Sequence, residues 1–144
     1  MPINRINWLA VIAGGVIYWL WGWLWYGVLF KNQWTALHPG MPMSSSATPF
    51  IVSIVMAFVL SFGVAVALSH DDERTVRHGI EFGVFFGLLF IASTMLTGYM
   101  FASLPLALWG IDAAYVVLGL MLLGALHGGW KRTPAGRPEK TAST

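Results

Sequence analysis

Four long apolar runs, separated by short polar stretches, make up most of this chain. The first extends from Trp8 to Phe30 without a charged residue. A helical run of that length crosses a hydrocarbon core of about 30 Å. A second run covers Pro49 to Ser69, a third Gly79 to Ala102 and a fourth Leu106 to Gly129. The pattern predicts four transmembrane helices over 8–30, 49–69, 79–102 and 106–129, an all-α bundle filling one domain over 1–130. The first run is too long, and too aromatic at its end, for a cleaved leader, so it is assigned as a span.

The polar stretches carry stop and start signals. Lys31 to Thr48 contains His38-Pro39-Gly40, Pro42 and Ser44-Ser45-Ser46, and Asn32 to Leu37 could form one interfacial turn. Thr48-Pro49 predicts an N-cap followed by a first-turn proline. Asp71, Asp72 and Glu73 precede Arg74 and Arg77, which suits the start of the third helix, where acids complement the helix dipole. Ser103-Leu104-Pro105 leaves room only for a tight turn, and 131–144 is a polar, basic tail expected to be disordered.

Composition narrows the class further. The 144 residues are 57% hydrophobic and 10% charged, far from the ~25% charged of a soluble domain. Cysteine is absent, which excludes disulfides, thiolate nucleophiles and cysteine metal sites. A net charge of +2 from so few bases indicates anchoring against anionic lipid and no nucleic-acid partner. Four crossings put Arg5, Arg74, Arg77, Lys131, Arg132, Arg137 and Lys140 on one side and Lys31 alone on the other. That bias predicts cytoplasmic termini.

Small residues mark helix seams. Gly79, Gly83 and Gly87 form a small-xxx-small row, continued at the same spacing by Thr94, Gly98 and Ala102, so the third helix is expected to be the most enclosed. Gly124 and Gly128 are a close-packing pair on the fourth. In the first helix, at about 100° per residue, Trp19 and Trp23 point one way and Trp21 and Trp25 the other. Between them runs a stripe of Gly15, Gly22 and Leu29, flanked by Tyr18 and Tyr26 and expected to form one groove.

Two segments together resemble a known pattern. Gly22-Trp23-Leu24-Trp25-Tyr26 is followed by Phe30 and Trp34, and Asp112-Ala113-Ala114-Tyr115 leads to Gly124 and Trp130. The chain is similar, over nearly its whole length, to the family of small four-helix bacterial membrane proteins called domain of unknown function 1761. The resemblance implies a four-helix bacterial membrane bundle whose last helix carries an aspartate followed by an aromatic residue or histidine; it implies no activity. Trp19, Trp21 and Trp23 are additions to the family pattern.

The residues themselves single out Asp112, about two turns into the fourth helix and roughly 9 Å from its outer end. A carboxylate at that depth is costly, faces the bundle and commonly marks function. Trp25, Tyr26, Thr97 and Tyr99 lie at similar depth, with Tyr115 one turn below. Asp112 either fixes helix packing through hydrogen bonds or holds a ligand or proton. A His78–Glu81–His127 metal or proton-relay group is the weaker option beside a snorkelling Glu81 and an interfacial His127, and no metal or cofactor is expected. Trp8, Trp34, Trp109 and Trp130 fit the aromatic belts; Trp19 and Trp21, near the midplane, either pack the bundle or line a ligand or partner seam.

Three functions follow. The preferred one is a non-enzymatic accessory or interaction subunit packing against other membrane helices, its own copies or a larger complex. The alternative is a small transporter or lipophilic-ligand-binding protein using Asp112, Tyr115, Trp25, Tyr26, Trp19, Trp21 and Gly22. A membrane enzyme is least favoured, since no cysteine and no Ser–His pair at one depth are evident.

Overall fold

Asn7 starts the first long helix: its side chain accepts a hydrogen bond from the Ala10 backbone N–H, satisfying one of the free donors at a helix N-terminus. The computed structural model describes residues 3–38, 40 and 44–131. The expected tail therefore lies almost wholly outside the described residues, as do Arg132, Arg137 and Lys140. After a short 3-10 turn at Ile3–Arg5, α1 covers Trp8–Leu24 and continues as a wide π-helical turn over Trp25–Leu29. The short helix α2 is Lys31–Leu37, where the single interfacial turn was expected, and α3 is Thr48–Leu68. α4 (Val76–Phe86), a π-helical stretch (Gly87–Ala92) and α5 (Ser93–Phe101) form one continuous span, and α6 covers Leu106–Gly129. Among the described residues, four spans are long and apolar enough to cross a membrane.

The caps move some boundaries. Thr75, in extended conformation, accepts from the His78 N–H and starts α4 at Val76, one turn before the expected Gly79. Asp71, Asp72 and Glu73 consequently lie outside the first turn, and the helix has no acid there. Asp71 instead accepts from the Glu73 N–H and pairs with His78. Thr48 is already helical and Ala47 precedes it without a side-chain cap, so proline alone starts α3. Between α5 and α6 the chain reverses through Ser103 at φ 55°. Its N–H donates to Met100 O, and the Leu104 N–H reaches back to Tyr99 O. This paired closure fixes the end of the helix that carries Tyr99.

α4 and α6 approach at backbone contact. A Cβ on Gly79 would lie 1.8 Å from Gly124 O, one on Gly83 2.5 Å from Met121 N, and one on Gly128 2.2 Å from Thr75 O. Gly87 meets the Val117 Cα at 3.0 Å. The predicted glycine seam is thus present. The expectation that this span is the most enclosed is not met: 22% of its most apolar window is buried, against 33% for the first and last spans. A one-sided glycine stripe makes one tight seam, and Phe85, Leu88, Leu89 and Phe90 on its other faces are exposed. The central core is Val64, Leu68, Leu120 and Leu123 with Tyr18 against it. Arg5 pairs with Asp72 at 2.5 Å and Lys131 donates to Asp72 O at 3.2 Å, so the start of α1, the 70s loop and the end of α6 share one end of the bundle. The opposite end is called outer below.

Candidate functional site at Asp112

The site begins with two indoles on α1. Trp21 and Trp25 are four residues apart, and α6 runs antiparallel beside them. Trp21 Nε1 donates to Tyr115 O at 3.1 Å and Trp25 Nε1 to Ile111 O at 3.2 Å, a matching four-residue step along α6. The wide turn that starts at Trp25 is closed by the Phe30 N–H on Trp25 O at 2.8 Å. Within it Tyr26 faces α6 next to Trp25, and α2 follows at an angle that returns Trp34 to the same point.

Asp112 is where these elements meet. It is 8% exposed. Its Oδ1 accepts from Tyr26 Oη at 2.6 Å and from Trp34 Nε1 at 3.2 Å. Its Oδ2 accepts from Tyr99 Oη. One carboxylate therefore ties the end of α1, the short helix α2 and α5 to α6. Rings close the surroundings: Tyr26 and Tyr115 have centroids 4.9 Å apart, and Tyr26 meets Trp34 edge-on at 5.6 Å. Gly22 is the position that admits Tyr115, whose hydroxyl would lie 3.0 Å from a Cβ there.

Asp112, Tyr115, Trp21, Gly22, Trp25 and Tyr26 are thus brought together as expected, and α1 and α6 are neighbours. Trp19 is not part of the cluster: its indole donates to Ser53 on α3. The supposed single groove is divided, because Gly15 packs on Phe58 of α3, Gly22 on Tyr115 of α6, and Leu29 is exposed. Thr97 bonds to its own helix at Ser93 O. Trp34 and Trp109 are not simple belt residues; Trp34 binds Asp112, and Trp109 donates to Ala92 O, a carbonyl in the π-helical stretch. Wide turns leave such carbonyls poorly paired, so Trp109 satisfies a group that the local geometry had exposed. Trp34 belongs to the site, and only its place in the family pattern hinted at this.

The inner half holds a second polar centre. His127 is 4% exposed and Ser61 0%. Their Nε2 and Oγ lie 3.0 Å apart, and Ser61 Oγ donates to Val11 O at 2.9 Å. The serine proton goes to the carbonyl, so His127 Nε2–H donates to Ser61, the reverse of a base activating a nucleophile. Gly14 allows the approach, since a Cβ there would lie 2.3 Å from Ser61 Oγ. Arg74 Nε caps His127 O at 3.1 Å. His127 is therefore not interfacial, and a Ser–His pair does exist at one depth. The pair was hidden because its members lie 66 residues apart on different helices. The His78–Glu81–His127 group does not form: Glu81 pairs with Arg77 and His78 with Asp71. Among the described residues no cluster of three metal-ligating side chains is present. Ser61→Ala should destabilise the bundle by about 1–3 kcal/mol, because the His127 N–H loses its buried acceptor; thermal unfolding in detergent measures this.

Comparison with protein families gives a match over most of the chain. The model described as "Protein of unknown function (DUF1761)" matches residues 9–128, from the start of α1 to the end of α6. No curated protein and no solved structure matches the chain.

Proposed function

The chain belongs to the DUF1761 family, whose description assigns no activity, and we propose from the site itself that it is a non-enzymatic interaction subunit of the bacterial inner membrane. Its helices pack against other membrane helices, its own copies or those of a larger complex. The Asp112 clamp carries this reading: among the described residues, the one carboxylate deep in the outer half is bonded three times by groups of its own chain. It acts as a fastening that makes four elements one rigid body, and rigid helical faces suit helix–helix recognition. Most of the glycine rows that suggested partners are occupied inside the bundle. The exception is Thr94–Gly98–Ala102 on α5, which is exposed and has no atom within 4 Å of a Cβ built on Gly98.

The test mixes donor- and acceptor-labelled copies at low density in liposomes. Energy transfer above the random level, lost in Gly98→Leu, is expected for self-association. Monomers at every density, with proton or solute flux that Asp112→Asn abolishes, would instead establish the transporter alternative. One observation favours that alternative: the groups bonded to Asp112 are all neutral.

Orientation belongs to the same proposal. The described bases Arg5, Arg74, Arg77 and Lys131 lie at the end of the bundle opposite Lys31, and this positive-inside bias supports a cytoplasmic position for that end. Reporters fused after Lys131 and inserted at Ser44–Ser46 should report opposite compartments, cytoplasmic for the first. Identical readouts would remove the topology.

A further inference from the structure

We infer that Asp112 is a proton-binding site, and that α2 is the element released when the proton arrives. The inference rests on the geometry of the clamp and not on the interaction reading above.

A carboxylate at membrane depth ordinarily has a cationic partner or loses its charge. Among the described residues, neither Lys nor Arg is bonded to Asp112. The titratable groups facing it are Tyr26 from α1, Tyr99 from α5 and Tyr115 from its own helix; from α2 comes His38, whose ring lies 4.0 Å from that of Trp34. A metal cation does not fit the same place without displacing atoms. The positions from which it would approach hold two hydroxyl hydrogens and an indole hydrogen, and an indole N–H cannot be a ligand. A proton requires only that one hydrogen bond reverse.

The step is balanced as follows. One proton from outer water reaches Oδ2 and the carboxylate becomes neutral. The Oδ2–H then donates to Tyr99 Oη, whose own hydrogen turns away; Tyr99 is half-buried near the outer end of α5. Oδ1 remains an acceptor for Tyr26 and Trp34, but it is now a neutral carbonyl oxygen. Bonds to an ionised acceptor are about twice as strong as bonds to a neutral one. The longer of the two, Trp34 at 3.2 Å, is the weaker link. Of the seven residues of α2 only Trp34 and Leu37 are not exposed, so weakening Trp34 frees the helix from the bundle. Proton binding at Asp112 is thus converted into movement of α2.

The natural chain has no cysteine, so a nitroxide attached at Thr35→Cys, on the exposed face of α2, reports its mobility in liposomes. Between about pH 9 and pH 3, a range spanning most carboxyl groups in proteins, the mobile fraction should rise at least about twofold. In the added presence of Asp112→Asn the label should be mobile at every pH, because the amide mimics the neutral acid. Trp34→Phe should do the same, and it serves where Asp112→Asn does not fold. A label equally immobile from about pH 9 to about pH 3 overturns the inference. So does a pH response that persists in Asp112→Asn or Trp34→Phe, which would place the titration at His38 or elsewhere.

Discussion

Gly79→Leu should leave little or no folded protein. A Cβ at that position would lie 1.8 Å from Gly124 O and 2.3 Å from the Gly124 carbon, both backbone atoms of α6. No rotamer relieves such a contact, so the helices must separate. Separation would also open the steps at Gly83 and Gly87 along the same seam. Overpacking in a tight core costs about 1–3 kcal/mol even where side chains can yield; here only backbone can move, and a loss above about 3 kcal/mol is expected. Gly83→Leu should behave alike. Gly98→Leu is the control, because nothing lies within 4 Å of its Cβ, and its effect on monomer stability should stay within about 0.5 kcal/mol. Unfolding in detergent, followed by circular dichroism, separates the two classes.

Asp112→Ala is the second large effect. It removes one acceptor and leaves three half-buried donors, Tyr26 Oη, Trp34 Nε1 and Tyr99 Oη, without it. An orphaned buried donor costs about 1–3 kcal/mol, so a loss of about 3 kcal/mol or more is expected, with α2 the first element to detach. Asp112→Asn keeps one carbonyl acceptor but places an NH2 where a donor now points. It should cost about 1–2 kcal/mol and leave the fold intact. Equal stability of Asp112→Ala and the parent would mean that these donors find other partners.

The spans were legible because apolar runs of this length have few alternatives, and the glycine seam because close helix approach requires the absence of a side chain. The Asp112–Tyr26 contact was legible from depth alone: two antiparallel helices of known rise bring matching levels together. Geometry that depends on a local departure from the ideal helix was not legible. The wide turns at Trp25–Leu29 and Gly87–Ala92 have no residue signature. The first helps to aim Trp34 at Asp112, and the second exposes the carbonyl that Trp109 satisfies. Both tryptophans therefore resembled belt residues. The Ser61–His127 pair was missed for a different reason. It requires knowing which face of α3 meets α6 across Gly14, and a helix as evenly apolar as α3 carries little facial information.

A double-mutant cycle on Tyr26→Phe and Asp112→Ala, each of which removes the bond, tests the clamp most directly. Tyr26→Phe removes a single oxygen and leaves the ring against Tyr115. If the 2.6 Å bond exists, the two substitutions should be coupled by about 1.5–3 kcal/mol in the unfolding free energy, the range for hydrogen bonds to charged groups. Additivity within about 0.3–0.5 kcal/mol would show that Tyr26 and Asp112 do not meet, and the account of four elements fastened at one carboxylate would be wrong.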